Sequence, residues 1–157
     1  MPGKLGAPQG WRGSEPVIYQ GSEALKYCGY QGLACSGVTA MGNSQYEQAS
    51  SVADSGPRLR FTLLAYDGVS NAKAGMKGVA ASAHKEDGKS KALSIQTGAD
   101  DTDAYTTGDS SSAVMRVGTV VAYVAGVDVT KPADLQKFAH LQVERIKAAA
   151  TGKNPDA

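Results

Sequence analysis

Three stretches of this chain hold residue types at spacings that serve chemistry elsewhere. Gly108-Asp109-Ser110 begins like the nucleophile segment of a serine protease, and His84 offers a general base. A nucleophilic hydroxyl needs a base within hydrogen-bond reach and a third group to orient that base. The match ends at Ser110, because Ser111-Ser112 follows, and no GxSxG elbow occurs. A hydrolase using His84 with a loop serine is therefore the weaker reading. A polar loop with two partly exposed histidines is the stronger one. Asp100, Asp101 and Asp103 set three carboxylates close together, as weak Ca²⁺ binding would require. The loop glycine and closing glutamate of an EF-hand are missing, so a solvated acidic turn is expected ahead of a metal site. His140 and Glu144 fall one turn apart on a helix face, half of a metal site with no second half; a surface pair is expected. No Walker A or GxGxxG pattern occurs. The reading is non-enzymatic: no catalytic residue and no cofactor are assigned.

The remaining chemistry belongs to sulfur and to tyrosine. The cysteines are Cys28 and Cys35, in CGYQGLAC. Their spacing is not CxxC, and two thiols do not make a zinc site. A disulfide closing a short, glycine-containing loop is expected, which places the chain in an oxidising compartment. Tyr27 and Tyr30 flank or sit in that loop, Tyr19 is close, and Trp11 is the sole tryptophan. Tyrosine combines contact area with a polar tip, so these four are the candidate binding residues; packing around the disulfide is the equal alternative.

Composition bounds what such residues can be part of. The 157 residues suit one domain with its own core, and 16 Lys+Arg against 15 Asp+Glu leave a net charge of +1. That balance excludes the electrostatic footprint of a nucleic-acid binder. No transmembrane helix and no signal-peptide h-region are expected. Met1 is read as a native start or as a start placed after a removed leader. Glycine is abundant at 19 residues and aromatics make up only 6%, so large apolar side chains must be concentrated in a few segments.

The clearest such segment is residues 113–127, read as two strands joined by Gly118-Thr119. Glycine at the first loop position fits a type II′ turn, which needs φ > 0 there. That register sets Val117 opposite Val120, Met115 opposite Ala122 and Ala113 opposite Val124, six apolar residues on one face under a helix. The other face, with Val114, Arg116, Val121 and Tyr123, is mixed. Earlier in the chain, residues 1–15 read as a flexible lead-in, on which Trp11 is an anchor or an exposed contact. A short strand is expected at 17–19, one helical turn at 22–27, and a strand at 37–48 with an irregularity at Gly42. Residues 50–57 read as a turn. Residues 58–66 alternate as a strand. Ala72, Met76, Val79, Ala80 and Ala83 form one stripe of a helix over 71–84, capped by Ser70. Gly75 and Gly78 weaken that helix or permit close approach to the sheet. Residues 91–97 read as a strand with Leu93 and Ile95 on one side. Residues 98–112 read as polar and turn-rich, with Ala104-Tyr105 a brief strand end. A second helix starts at a Thr130 cap with Pro132 in its first turn. Its inner stripe is Leu135, Phe138, Ala139, Gln142, Ile146 and Ala149, and Gly152 ends it. Residues 153–157 should fray. The fold class is α+β: an antiparallel β-sheet with two main helices packed on one face, in a single domain over 16–152.

RFTLLAYDGVSNAKAG, followed by AVMRVGTVVAYVAG and a helix bearing LQVERIKAA, resembles small cell-envelope lipoproteins of actinobacteria. It is also similar to the extracellular sensor domains of their receptor-type Ser/Thr kinases, which usually carry two disulfides where this chain has cysteines for one. The resemblance spans residues 59–149 in element order, and its motifs are structural. It implies an extracytoplasmic binding or sensor-like domain of a lipoprotein or secreted protein, tethered by a lipid anchor outside this chain. The partner is then an unknown protein or small envelope ligand. The alternative is an inhibitor- or immunity-like protein that binds another protein through the Cys28–Cys35 loop.

Overall fold

A computed structural model describes residues 1, 6–49 and 56–154; the side chain of Tyr30 lies outside the described residues. The elements run β1 (Trp11–Gly13), β2 (Val17–Gln20), α1 (Gly21–Tyr30), β3 (Val38–Gln48), β4 (Arg58–Tyr66), α2 (Val69–Asp87), β5 (Lys91–Ala92), β6 (Asp101–Thr107), β7 (Ser110–Val117), β8 (Val120–Val127) and α3 (Pro132–Ala150). The strands form one antiparallel sheet in the order β1-β3-β4-β8-β7-β6-β5, with β2 also paired to β3. The α+β class is as expected.

The hairpin at the sheet centre has the register read from its residues: Val117 pairs with Val120, Met115 with Ala122 and Ala113 with Val124. Gly118 has φ +57° and Thr119 is not in the positive-φ region, which is the type II′ pattern. The placement of the helices differs from the expectation. Ala113, Met115, Ala122 and Val124 pack with Leu135, Phe138 and Val143 of α3, whereas Val114 and Val121 pack with Ala72, Val79 and Ala80 of α2. Successive strand residues point to opposite faces, so α2 and α3 cover opposite sides of the sheet. The mixed second face of the hairpin hid this. Val114 and Val121 are fully buried there, and Arg116, also on that side, is neutralised by Asp101 of β6 and by Asp100 just before it.

The β6 strand is the second departure. Residues 98–112 read as polar and turn-rich with Ala104-Tyr105 as a brief strand end, yet the whole of Asp101–Thr107 pairs with β7. Gly108-Asp109 is the two-residue turn between them, with Gly108 at φ +46°, so the GDS segment is a hairpin and Ser110 opens β7. Conversely, the strand expected over 91–97 keeps only Lys91–Ala92 in the ladder. Leu93 and Ile95 alternate because they pack on the α3 side, and Gln96 N–H donates to Gln136 Oε1 at 2.9 Å. The irregularity in β3 falls between Val38 and Ala40, not at Gly42. α1 is a ten-residue helix rather than one turn. α2 is capped by Gly68 and α3 by Lys131, neither through a side chain, in place of Ser70 and Thr130. Within the 1–15 lead-in, Trp11–Gly13 pairs with β3, and Trp11 meets Phe138 edge-on at 4.9 Å. Residues 2–5, 50–55 and 155–157, parts of the expected lead-in, turn and tail, lie outside the described residues.

Candidate functional site

On the α2 side of the sheet, the helices leave part of β3, β4 and β8 uncovered. Asn43, Arg60, Thr62 and Tyr123 stand on this open floor. They share a face because β3 and β4 pair Asn43 with Thr62 and Gln45 with Arg60, while β4 and β8 pair Thr62 with Tyr123. Two adjoining hollows of about 310 and 280 Å³ share Arg60, Glu86 and Tyr123. The floor is partly tied down: Thr62 Oγ1 donates to Asn43 Oδ1 at 2.8 Å, and Gln45 Nε2 donates to Glu47 Oε1 at 2.7 Å. Burial raises Tyr123 above its ordinary value, so its hydroxyl is protonated at neutral pH. Arg60 is exposed, and none of the ion pairs made between described side chains uses it. A guanidinium, a phenol, amides and the Glu86 carboxylate around one hollow suit a polar, charged ligand.

The rim of this cleft is where the cysteines matter. Cys28 and Cys35 form a disulfide with Cα atoms 5.8 Å apart. The loop it closes presents Gln31 and Leu33 to the cleft. Two contacts hold the loop against the domain. Tyr66 Oη donates to the Ala34 carbonyl at 2.8 Å, and a Cβ on Gly78 of α2 would sit 2.4 Å from Ala34 Cβ. The bridge, α2 and β4 together set the shape of the opening.

The residues named from sequence are dispersed. Tyr19 and Tyr27 stack with centroids 3.7 Å apart, at the edge made by β2 and α1. There Val17, Ile18, Leu25 and Tyr27 are exposed. Tyr30 ends α1. Trp11 is on the opposite face of the sheet, against Phe138. Asp100 Oδ2 accepts from Arg116 Nη1 at 3.1 Å and from Gly118 N–H at 2.8 Å, and Asp101 Oδ2 accepts from Arg116 Nε at 2.7 Å. Asp103 turns to His84 Nε2 at 3.1 Å. Among the described residues, no group of three or more His, Cys, Asp or Glu converges as a metal site. His140 Nδ1 meets the Thr97 carbonyl and Glu144 meets Lys147, so His140 and Glu144 each have another partner.

His84 is placed more interestingly than its sequence context foretold. Its Nδ1 meets Ser90 Oγ at 3.0 Å while Nε2 meets Asp103. This is a Ser–His–Asp chain of hydrogen bonds, but Ser90 is exposed and the imidazole lies on Tyr105 at 4.0 Å between centroids. Tyr105 Oη in turn donates to Asp87 at 2.7 Å. The cluster fastens the end of α2 to β6. Sequence reasoning missed the cleft residues Asn43, Arg60, Thr62 and Tyr123. The signal was present in β4, where Arg60 and Thr62 interrupt Leu59, Phe61 and Leu63 in a strand that pairs on both sides.

No family model matches the chain, and no curated protein matches it. Among solved structures, the fold is similar to the extracellular domain of PknH from Mycobacterium tuberculosis, with a TM-score of 0.56 and 14% identity over 91% of this chain and 88% of that one. Among the described residues, no helix is long and apolar enough to cross a membrane. The similarity is one of fold.

Proposed function

We propose that this chain is a non-enzymatic, extracytoplasmic binding domain of sensor-like type, the soluble part of a lipoprotein or secreted protein. The observation that carries the reading is the polar cleft whose rim holds Gln31 and Leu33 of the loop closed by the Cys28–Cys35 bridge and whose floor holds Arg60 and Tyr123. A disulfide favours an oxidising compartment, and the fold is shared with an extracellular domain. The ligand class is a small envelope component with carboxylate, amide and hydroxyl groups. Muramyl dipeptide is a soluble probe of that chemistry. Its affinity for the oxidised domain, read by calorimetry, should fall about tenfold or more in Arg60→Ala, since a hydrogen bond to a charged group contributes ~1.5–3 kcal/mol. Equal affinity of the two proteins would remove Arg60 from the site.

A second reading rests on the exposed Tyr19–Tyr27 stack with Val17 and Leu25, an apolar patch suited to a protein partner beside the disulfide loop. Under it, a partner captured from envelope fractions by the immobilised domain is lost in Tyr27→Ala and kept in Arg60→Ala. The cleft reading expects muramyl dipeptide binding to be kept in Tyr27→Ala and lost in Arg60→Ala.

A further inference from the structure

β1 and β2 lie end to end along the same side of β3 and form one margin of the sheet, while β5 forms the other. An unpaired strand edge is a template for further pairing, and proteins guard such edges with short strands, lysine or cover. β5 is guarded: it is only Lys91 and Ala92, with Lys89 just before it. β1 is guarded in part, because the Pro8 carbonyl takes the Trp11 N–H at 3.0 Å. β2 is not. It carries Val17 and Ile18, 51% and 56% exposed, and Leu25 and Tyr27 are exposed on the helix that follows.

The ladder fixes which backbone groups of β2 are free. In an antiparallel pair, alternate residues bond across to the same neighbour. Ser14 N–H donates to the Gln45 carbonyl and Ala49 N–H to the Gly10 carbonyl, whereas Gln48 N–H donates to the Pro57 carbonyl. Odd-numbered residues of β3 therefore bond toward β1 and β2, and even-numbered ones toward β4. Val17 and Tyr19, opposite Asn43 and Met41, bond inward. Ile18 and Gln20, opposite Gly42 and Ala40, turn their N–H and C=O groups away from β3. Pro16 falls in the same alternation as Ile18.

This edge is complementary to itself about an axis at Ile18. In that register each Ile18 N–H meets the Ile18 carbonyl of the other copy, and each Gln20 N–H meets the Pro16 carbonyl. The remaining bond would need a Pro16 N–H, which proline lacks, and the Gln20 carbonyl. Gln20 is the N-cap of α1, so its carbonyl already accepts the first bond of that helix. The missing donor falls opposite the occupied acceptor. Val17 comes opposite Tyr19 of the other copy, on the side of the Tyr19–Tyr27 stack. Charge fits as well. Glu15 comes opposite Gly21, at the N-terminus of α1; that end has Glu23 in its first turn but no side-chain cap, and it favours a carboxylate.

We propose that β2 pairs antiparallel with β2 of a second copy of this chain, about a two-fold axis at Ile18, joining two sheets into one. The inference rests on the second reading of the β2–α1 patch, as a surface for a protein partner, and gives that partner as another copy. It is independent of what the polar cleft binds.

A strand pair makes a small interface, so the dimer is reversible. Sedimentation of the whole oxidised domain from micromolar to millimolar concentration should show a mass rising from 16.1 kDa towards twice that value. Amide exchange at the two ends of that range should show Ile18 and Gln20 protected only at the high end, and Val17 and Tyr19 protected throughout. Ile18→Pro removes an outward donor without breaking the bonds to β3 and should abolish the dimer. Ile18→Val keeps the donor and should keep the dimer. If Ile18→Pro does not fold, Ile18→Lys sets like charges opposite each other at the axis and should weaken the dimer about tenfold. A constant monomer mass, a dimer that survives Ile18→Pro or Ile18→Lys, or a dimer in which Ile18 and Gln20 still exchange fast would each overturn the proposal. A monomer that captures an envelope protein through Tyr27 would overturn it and leave the protein-partner reading standing.

Discussion

At the scale of single residues, Arg116 shows how a polar group is made acceptable inside a sheet. Its side chain is 8% exposed, and its charge is met by Asp100 and Asp101, each about half exposed. Removing one carboxylate leaves a largely buried cation short of a partner, and the exposure of the acids moderates the loss. Asp101→Ala should lower stability by about 1 kcal/mol in urea unfolding; no change would mean that water replaces the carboxylate. The acidic cluster was visible in sequence, but its purpose was not. Asp101 meets Arg116 only because β6 pairs with β7, in a stretch whose polar residues read as turn. The tyrosines make a second residue-scale prediction. Burial raises Tyr105, Tyr123 and Tyr66 above their ordinary value, with the Asp87 hydrogen bond adding to it at Tyr105. Unfolded tyrosine titrates near pH ~10, and a folded pKa above that value means the unfolded chain ionises first. Stability is then intact below about pH 10 and declines as pH rises beyond it. Urea midpoints measured on either side of that pH, alongside tyrosinate absorbance, should show the decline; a level profile would contradict the burial.

At the scale of elements, α2 is held by what its glycines leave out. A Cβ on Gly75 would come 2.2 Å from Tyr66 Cζ and Oη, and the same Tyr66 hydroxyl anchors Ala34 in the disulfide loop. Gly75→Ala gains helix propensity, ~1 kcal/mol at most, but must displace a packed ring. The net should be a loss of about 1–3 kcal/mol, whereas Gly75→Ala made in a Tyr66→Leu background should cost little further; additive losses would deny the contact. The bridge contributes at the same scale. Reducing Cys28–Cys35 opens a short loop and should cost about 2.5 kcal/mol on the chain-entropy argument, with the largest hydrogen-exchange increase around Gln31 and Leu33. An unchanged urea midpoint after reduction would mean that Tyr66 and Gly78 hold the loop unaided. The α2 stripe, the β4 alternation and the hairpin turn were all legible from periodicity, because each is set by neighbours close in sequence. Which side of the sheet α2 takes was not. Val114, Arg116, Val121 and Tyr123 look half-polar until Asp100 and Asp101 are placed beside Arg116, and a strand buried on both faces then emerges.

At the scale of the whole molecule, the openings on the two sides of the sheet differ in chemistry: a polar cleft lies on the α2 side and a mostly apolar cavity beside α3. The fold class and the disulfide were readable from the chain, since strand alternation and cysteine spacing are local facts. The cleft was not, since Asn43, Arg60 and Tyr123 come from three strands brought together by the sheet order. Tyr19 and Tyr27, near the disulfide in sequence, lie instead at the β2–α1 edge. Under the proposed function, the polar cleft is where this domain binds. Backbone amide shift mapping of the oxidised domain during titration with muramyl dipeptide tests it most directly. Saturable shifts concentrated at Gln31, Asn43, Arg60, Thr62 and Tyr123 are expected. Shifts gathered at Tyr19 and Tyr27, or none at saturating probe, would contradict it.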